Sequence, residues 1–546
     1  MYAFFKLSTI STSLSTPSTA QPSFSAFLVA QNTRNSVKFK SSSWKLHQTL
    51  ASFQPTNLTT AVSSWLFYEL YWKRKNLPPG PTPLPLFGNI LSLRSPSPGY
   101  EAVSRWSKEY DGVFTFWLGT RPYIMISNYE KIKQTFIHDG ATYMDKIQLP
   151  FQREFRGGDY GVVETNGDFW MTHRRFMLSN LRDFGVGKDL MQERILIEVR
   201  DIFLKLDATL GTEVNIMEMF EFGVGNVINQ VTFGYRFDEA NKSQFNKLRS
   251  LIDFQNEEFG KITIILQFFI PLLSYFLPGQ NINERLKSFR NDFYDFFNKQ
   301  IQEHIKKIDF DNDVNTDYCE AYLKEQRKRE AEGDFETFSN IQLTNMCMDL
   351  WFAGLVTTVT TISWTFAYLL NTPGMQEKIH EELDRVIGED RLVTTADKND
   401  LPFMTAFITE SQRCANIIPL NLLHCTTKDT VINGYQIKKG TGVIAQISNA
   451  LLDEKAFPEP YNFNPCRFVE NGKFKKVEEF VPFSVGKRIC PGEGLAKMEL
   501  FLFISNFLNR YRISAGKNGV PCIDKTKDIT VKPRVFGAIL EKRYNL

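Results

Sequence analysis

One cysteine near the carboxyl end has a setting that can support chemistry. Cys490 has Phe483 seven residues before it, Gly486 four residues before it and Gly492 two residues after it. Glycine lets a backbone approach a flat ligand closely, and backbone N–H groups can hold a thiolate sulfur by hydrogen bonding. Such a cysteine can bind iron or act as a nucleophile, whereas burial without reactivity is the commonest state of a free cysteine.

Two predicted helices must position this cysteine and its ligand. The apolar stretch 495–508 predicts a helix whose N-terminal end favours a negative sulfur. The stretch 339–370 is apolar over much of its length and opens with Ser339 and Gln342 at the spacing of a capping box. At 1.5 Å per residue it is roughly 48 Å long, so it must cross the middle of its domain.

Other patterns complete a mainly helical fold with small attached β-sheets. Residues 188–206 and 289–308 have the spacing of amphipathic helices. Residues 427–444 alternate like short strands around Asn433-Gly434, which is a hairpin signal. We find no internal repeat.

Composition excludes several classes of protein. The chain has 546 residues, 42% of them hydrophobic, and its 48 phenylalanines can build a large lipophilic interior. Its formal charge of +3 arises from 64 basic and 61 acidic residues, so no strong basic field supports nucleic-acid binding. The seven cysteines are odd in number and include no CxxC pair, which argues against a disulfide framework or a zinc site.

The chain is predicted to divide at residue 76. Residues 1–60 hold 21 Ser/Thr and no acid, which is typical of either an organelle transit peptide or a disordered leader. A short apolar stretch, 58–72, precedes Lys73-Arg74-Lys75 and predicts a weak anchor at a membrane interface. The proline-rich segment 78–85 opens the body, residues 77–546, which we read as one domain. Within it, 259–278 predicts two short helices touching the bilayer, with burial in the core as the alternative.

The glycine-framed cysteine loop resembles the haem-ligand loop of cytochromes P450. The residues that match are Phe483, Gly486, Arg488, Cys490 and Gly492. The resemblance covers roughly residues 77–546 and is greatest to the microsomal type of animals. It implies the cytochrome P450 fold, with haem b held through the sulfur of Cys490, whose electron push favours O–O cleavage.

Further motifs follow in the order that this family has. Glu410 and Arg413 resemble its ExxR pair, and Arg467 resembles the arginine that completes the network, although Cys466 stands where the family usually has glutamate. The resemblance assigns further residues to the haem carboxylates, or propionates: Trp170, Arg174, His424 and Arg488.

The central helix carries one departure from the family pattern. Gly354 would loosen the helix beside the oxygen site, and Thr357 would hydrogen-bond dioxygen and a water. The acid that would supply protons is replaced by Val356. An alternative is therefore a haem-binding protein with impaired or no monooxygenase activity. The other reading of Thr357 is a bond back to its own helix.

The resemblance implies a monooxygenase that inserts one atom of O2 into a lipophilic small molecule, such as a xenobiotic, a fatty or other organic acid, or a steroid-like compound. Electrons would come from an NADPH-dependent flavoprotein reductase or another donor. The expected location is the cytosolic face of the endoplasmic reticulum membrane, with the mitochondrion as the alternative. The pocket would include apolar residues from three segments: Phe352, Ala353, Ile418, Leu420 and Phe536.

Overall fold

The structure is a computed structural model and describes residues 55–94, 100–185, 189–260, 282–312, 314–389, 391–526 and 528–544. The chain forms two compact units, Met1–Trp72 and Lys73–Leu546. Most of the predicted leader, and nearly all of the predicted membrane-touching segment 259–278, lie outside the described residues.

In the first unit, the described residues form helix α1, Pro55–Leu70. The helices described in the second unit are α2 (Tyr100–Glu109), α3 (Tyr129–Ile132), α4 (Pro150–Arg156), α5 (Gly167–Asp183), α6 (Asp189–Asp207), α7 (Ile216–Phe233), α8 (Lys242–Gly260), α9 (Ile282–Ile305), α10 (Tyr318–Ala331), α11 (Asn340–Asn371), α12 (Met375–Val386), α13 (Pro402–Ala415), α14 (Ile447–Leu451) and α15 (Glu493–Arg510).

Small sheets are attached to this helical body. The strands are β1 (Val113–Leu118), β2 (Arg121–Ile126), β3 (Asp145–Lys146), β4 (Glu213–Asn215), β5 (His424–Cys425), β6 (Thr430–Ile432), β7 (Tyr435–Ile437), β8 (Gly442–Ala445), β9 (Val469–Glu470), β10 (Lys473–Phe474), β11 (Tyr511–Ala515) and β12 (Gly537–Lys542). A five-stranded sheet has the order β1-β2-β8-β5-β3 and a three-stranded sheet has the order β11-β12-β4, while β9-β10 and β6-β7 form two-stranded sheets. In the five-stranded sheet only β2 and β8 run parallel.

The helix α11 lies at the centre of the second unit. It belongs to the main apolar core together with residues of α6, α7 and α15. Among the described helices it alone is long and apolar enough to cross a membrane, but 78% of its apolar window is buried within the protein. Its length and apolar composition are therefore explained by burial in the interior of the domain.

The prediction of a mainly helical fold with small sheets is confirmed. The hairpin around Asn433 forms as predicted, since β6 and β7 pair antiparallel and both Asn433 and Gly434 have positive φ. The capping box at the start of α11 was wrong. Ser339 makes no side-chain cap, and the Gln342 amide bonds the backbone of Gly161 rather than that of Ser339.

Candidate functional site

The loop that carries Cys490 is built by backbone hydrogen bonds. The N–H of Cys490 donates to the carbonyl of Phe483 at 3.0 Å, and the N–H of Ile489 donates to that of Gly486 at 3.1 Å. Helix α15 then begins at Glu493. The cysteine is thus held at the end of a closed turn, directly before a long buried helix.

Gly486 is required by a contact that the sequence did not indicate. Its φ is +77°, and a Cβ at this position would lie 2.0 Å from the carbonyl oxygen of Phe136. The glycine therefore lets the loop pack against the backbone of residues 133–138.

The surroundings of the Cys490 thiol change its pKa. The side chain has accessible surface, yet burial raises the pKa of its thiol above the ordinary value. The N–H groups of Gly492 and Glu493 bond the sulfur and, with Arg174, lower that pKa, but burial outweighs them. The protein without a bound metal therefore does not favour the thiolate form of Cys490 that the sequence predicted. A coordinating metal removes the thiol proton.

Positively charged side chains gather beside the loop. The guanidinium of Arg488 lies 3.7 Å from the ring centre of Trp170, and Arg174 donates to the carbonyl of Ile489. Burial, followed by the charge of Arg174, lowers the pKa of Arg488 to about 9. Arg488 also donates to the carbonyls of Met144 and Thr165. The positive charges of this cluster therefore repel one another, and burial adds to the cost of keeping them charged.

Lys146 belongs to this cluster and was missed by the sequence reasoning. Its side chain is buried, and burial lowers its pKa to about 7, with Arg488 and Arg174 contributing in the same direction and Glu164 opposing them. No signal in the sequence marked it, since Asp145 and Gln148 stand close to it, and its pairing across the sheet with His424 is seen only in the structure. A buried lysine without a dedicated ion pair indicates a site for an anion.

His424 is placed beside the same cluster, but its hydrogen bond restricts its role. Its Nδ1 lies 2.8 Å from the carbonyl oxygen of Tyr143, which can only accept. Burial holds the pKa of His424 well below its ordinary value, so the ring is neutral and its one N–H is already used. It can donate to a carboxylate only when doubly protonated.

The middle of α11 is accessible to solvent, whereas most of the rest of the helix is buried. Ala353 is exposed and Thr357, one turn later, is partly exposed, so both lie on one accessible face. The Thr357 hydroxyl donates to the carbonyl of Ala353 at 2.6 Å. This bond back to the helix leaves its oxygen free to accept a further hydrogen bond.

Gly354 and Val356 point away from that face. A Cβ on Gly354 would lie 2.3 Å from Cδ1 of Ile228, so this glycine allows close packing of α11 on α7. Val356 is buried in the main apolar core. An apolar valine, in place of the usual acid, therefore suits the apolar side chains around this position.

The predicted pocket residues are all at least partly accessible. Phe352 packs against the main core, Leu420 against the core under the five-stranded sheet, and Phe536 against two core clusters. Ile418 is half-buried in the segment after α13. These side chains and Ala353 are all apolar.

A carboxylate of α11 fastens the loop from Gly157 to Thr165 to this helix, in addition to the Gln342 amide that bonds Gly161. Asp349 accepts from the N–H of Val162 at 2.7 Å and from that of Val163 at 3.2 Å. Its other oxygen pairs with Arg156 at 2.6 Å. Asp349 lies one turn before Ala353, so this carboxylate fixes the loop beside the accessible face of the helix.

The structure brings Glu410, Arg413 and Arg467 together. Arg413 makes a two-pronged bond to Glu410 at 2.7 and 2.8 Å, and both side chains have no exposed surface. Arg467 reaches the same carboxylate at 3.1 Å. The buried pair is therefore a structural brace rather than a surface ion pair.

Comparison with known proteins identifies the family. Residues 78–538 match the family model described as cytochrome P450. The chain is 36% identical over 469 residues to cytochrome P450 2H2 of Gallus gallus, which covers 85% of this chain and 92% of that protein. It is 35% identical over 503 residues to cytochrome P450 2C23 of Rattus norvegicus, covering 90% and 97% respectively.

The chain belongs to the cytochrome P450 family. It is a haem-dependent monooxygenase of the microsomal animal type, with haem b as cofactor and with NADPH and flavin acting through a reductase. Nothing in the comparisons supports the alternative of a haem protein without this activity.

The residues present fit the haem of a cytochrome P450. The side chain of Cys490 is exposed in this structure and is therefore open to a ligand. The indole N–H of Trp170 is buried and has no hydrogen-bond partner among the residues that the structure describes, which leaves a donor for a propionate. Two carboxylates would also offset the charge of Lys146, Arg174 and Arg488.

Proposed function

We propose that this cytochrome P450 oxidises a lipophilic small molecule, of the xenobiotic, fatty-acid or steroid-like type, held between α11 and the apolar segments that carry Ile418, Leu420 and Phe536. The single observation that supports this is Ala353, an apolar residue exposed in the middle of an otherwise buried helix. A surface of this kind gains free energy by excluding water around an apolar ligand.

In this proposal Cys490 holds the haem iron, and Trp170, Arg174, Arg488 and Lys146 hold its propionates. His424 joins them only if the haem carboxylates shift it to the doubly protonated form. When bound, the haem supplies oxygen activation and the cleavage of O2. The chain's own residues orient the substrate, exclude water and hold protons at defined atoms.

The test of the substrate class combines binding and turnover. Purified haem-loaded protein is titrated with matched apolar and polar compounds and then incubated with a flavoprotein reductase and NADPH. We expect spectral binding and NADPH-dependent products for apolar compounds only. Phe352→Ala should change the ranking of substrates, whereas Phe335→Ala, an exposed position outside the proposed pocket, should not. Preferred binding and turnover of the polar set would refute the assignment.

We also propose that electrons arrive from the reductase at the lysine-bearing surface around the cysteine loop. Lys473, Lys476 and Lys487 are exposed there, and Lys487 lies within the loop itself. An acidic partner would be steered to this surface, and its association rate would fall as salt is raised. Lys487→Glu should slow reduction, while Lys439→Glu, an exposed lysine of the β7–β8 turn, should leave it unchanged.

We propose attachment to the cytosolic face of the endoplasmic reticulum membrane through α1. Phe67, Tyr71 and Trp72 are exposed apolar residues in and directly after this helix, and Lys73-Arg74-Lys75 follow in the sequence. Sixteen residues span about 24 Å, less than the roughly 30 Å of a bilayer core, so an interfacial helix is favoured. Tagged protein with and without residues 1–57 should distinguish this location from the mitochondrion.

A further inference from the structure

The loop from Gly157 to Thr165, which Asp349 fastens beside α11, carries an acid close to its end, Glu164. The residues proposed to line the substrate pocket are apolar. A pocket of that kind orients its ligand through the few polar groups that it contains. A carboxyl in this loop can therefore determine which substrates bind.

The residues before Glu164 are held by the central helix. Asp349 accepts from the N–H of Val162 at 2.7 Å and from that of Val163 at 3.2 Å. Asp349 lies one turn before Ala353, the exposed apolar residue of the proposed pocket. Glu164 therefore directly follows a segment that is fixed beside the accessible face of α11.

The residues after Glu164 are held by the cation cluster. Arg488 donates to the carbonyl of Thr165 at 2.6 Å and to the side-chain oxygen of Asn166 at 3.1 Å. The same Asn166 oxygen accepts from the backbone N–H of Lys146 at 2.7 Å. The backbone of Glu164 thus lies between the accessible face of α11 and the groups that would hold the haem propionates.

The carboxyl of Glu164 has charged neighbours but is bonded to none of them. Burial raises its pKa, while Arg156 and Lys146 lower it, and Asp349 and Arg488 have smaller effects in opposite directions. Among the residues that the structure describes, none donates a hydrogen bond to this carboxyl or forms an ion pair with it. Its side chain keeps some accessible surface. A partly buried carboxyl without a partner is costly, so it gains free energy from a ligand that supplies a donor.

The charges around Glu164 decide which donor suits it. Arg156, Lys146 and Arg488 already bring positive charge to the carboxyl, so they would repel a substrate ammonium group. A substrate carboxylate would be repelled by the ionised acid and by the haem propionates. A hydroxyl adds no charge, and it can bond a carboxyl in either protonation state. A neutral hydroxyl is therefore the group that fits this position.

We propose that Glu164 determines specificity by accepting a hydrogen bond from a hydroxyl group of the substrate, so that the enzyme prefers lipophilic alcohols and phenols. The apolar part of such a molecule would lie against Phe352 and Ala353. The inference rests on the proposed function, because it adds one polar contact to the apolar pocket. Glu164 binds the substrate in this account and transfers no proton.

The competing explanation is that Glu164 only offsets the positive charge of Lys146 and Arg156. Both explanations predict weaker haem retention when the acid is removed, because buried cations lose a counter-charge. They differ in the selectivity for ligands. Charge balance affects all ligands of the pocket alike, whereas a hydrogen bond affects only those that carry a donor.

The experiment measures the binding of matched ligands to the resting haem-loaded protein by equilibrium dialysis, which needs no turnover. One ligand is para-cyclohexylphenol, and the other is its methyl ether, which has the same body but no donor. We expect the wild-type protein to bind the phenol about tenfold more tightly, as expected for a hydrogen bond to a charged group. The anion para-cyclohexylbenzoate should bind more weakly than the phenol.

Variants make the result specific to Glu164. Glu164→Leu should abolish the preference for the phenol over its ether, whereas Glu164→Gln, which keeps a carbonyl acceptor, should retain part of it. Asp159→Leu is the matched control. Asp159 is an acid of the same loop but pairs with Arg153 at 3.0 Å, so its removal should leave the preference unchanged.

Equal binding of the phenol and the ether by the wild-type protein would overturn the inference, as would an unchanged preference in Glu164→Leu. An equal loss of preference in Asp159→Leu would also overturn it, because it would show a general effect of disturbing the loop. If Glu164→Leu does not retain haem, Glu164→Gln takes its place, and an undiminished preference there counts against the inference. Failure of both lipophilic probes to bind would refute the proposed function and this inference with it, whereas equal binding would refute only the role of Glu164.

Discussion

At the scale of single residues, Lys146 is the least expected member of the site. A lysine buried beside two arginines is unfavourable, and Glu164 opposes their effect only in part, so a further anion would stabilise it. We expect Lys146→Met to weaken haem retention by roughly tenfold, about 1.4 kcal/mol, because one propionate loses a charged partner. Transfer of haem to an acceptor apoprotein measures this loss.

Two further variants make the Lys146 test specific. Lys146→Arg keeps the charge and should retain haem, whereas Lys439→Met, at an exposed position, should behave as the wild type. If Lys146→Met keeps its haem as firmly and is simply more stable, then the lysine is not a propionate partner.

Val356 provides a second test at this scale. Restoring an acid by Val356→Glu is the obvious way to supply protons, but this side chain lies in the main apolar core. Burying a carboxyl there should cost at least about 2 kcal/mol in unfolding free energy without raising product per NADPH. Val356→Gln, of equal size and no charge, separates size from charge. A stable Val356→Glu with improved coupling would instead show that an acid at this position can reach the oxygen site.

Elements are held in place by residues whose role depends on distant parts of the chain. Asp349 caps two N–H groups of the loop before α5 and also pairs with Arg156. We expect Asp349→Ala to free these groups, at about 3–5 kcal/mol for a broken buried pair, and to speed amide exchange at Val162 and Val163. Hydrogen exchange read residue by residue measures this.

An ion pair that is partly open to solvent provides the contrast for Asp349. Glu325 and Arg329 pair one turn apart on α10 at 2.7 Å, and removing Glu325 should cost no more than about 0.5 kcal/mol. Similar losses at both positions would mean that Asp349 does not fasten the loop.

The same elements show what could be predicted from the sequence. The hairpin at Asn433-Gly434 was predicted because a tight turn depends on the two residues within it. The capping box of α11 was wrong because Gln342 is drawn to Gly161, which is 181 positions away in the chain. Gly486 and Gly354 were recognised, yet the contacts that require glycine, with Phe136 and Ile228, are also long-range.

At the scale of the molecule, the family and the cysteine loop could be predicted because the loop motif is short and specific. Lys146 and Glu499 could not, since a lone lysine or glutamate in a sequence carries no sign of its burial. Both residues are recognisable only in the folded protein, where charged or apolar neighbours shift their pKa values. Buried ionisable groups of this kind also affect the stability of the whole molecule.

The pH dependence of stability tests whether Glu499 is neutral in the folded protein. This acid of α15 is 1% exposed, and its carboxyl accepts a hydrogen bond from the Thr358 hydroxyl at 3.2 Å. Its folded pKa of about 8 lies above the ordinary 4.5, so the native state binds the extra proton between these values. The stability that this proton provides is full below pH 4.5 and is lost as pH rises through 8, by up to about 1.4 kcal/mol per pH unit. Glu499→Gln cannot titrate at this position, so its stability relative to the wild type should rise steadily from pH 5 to pH 8 and then level off.

Lys146, His173 and the other groups with shifted pKa values titrate in both proteins, so their contributions cancel in the difference. Thermal midpoints of the two haem-loaded proteins, taken at one scan rate across this range, measure that difference. A difference that does not change with pH would mean that the buried carboxyl keeps one protonation state between pH 5 and pH 8, against a raised pKa.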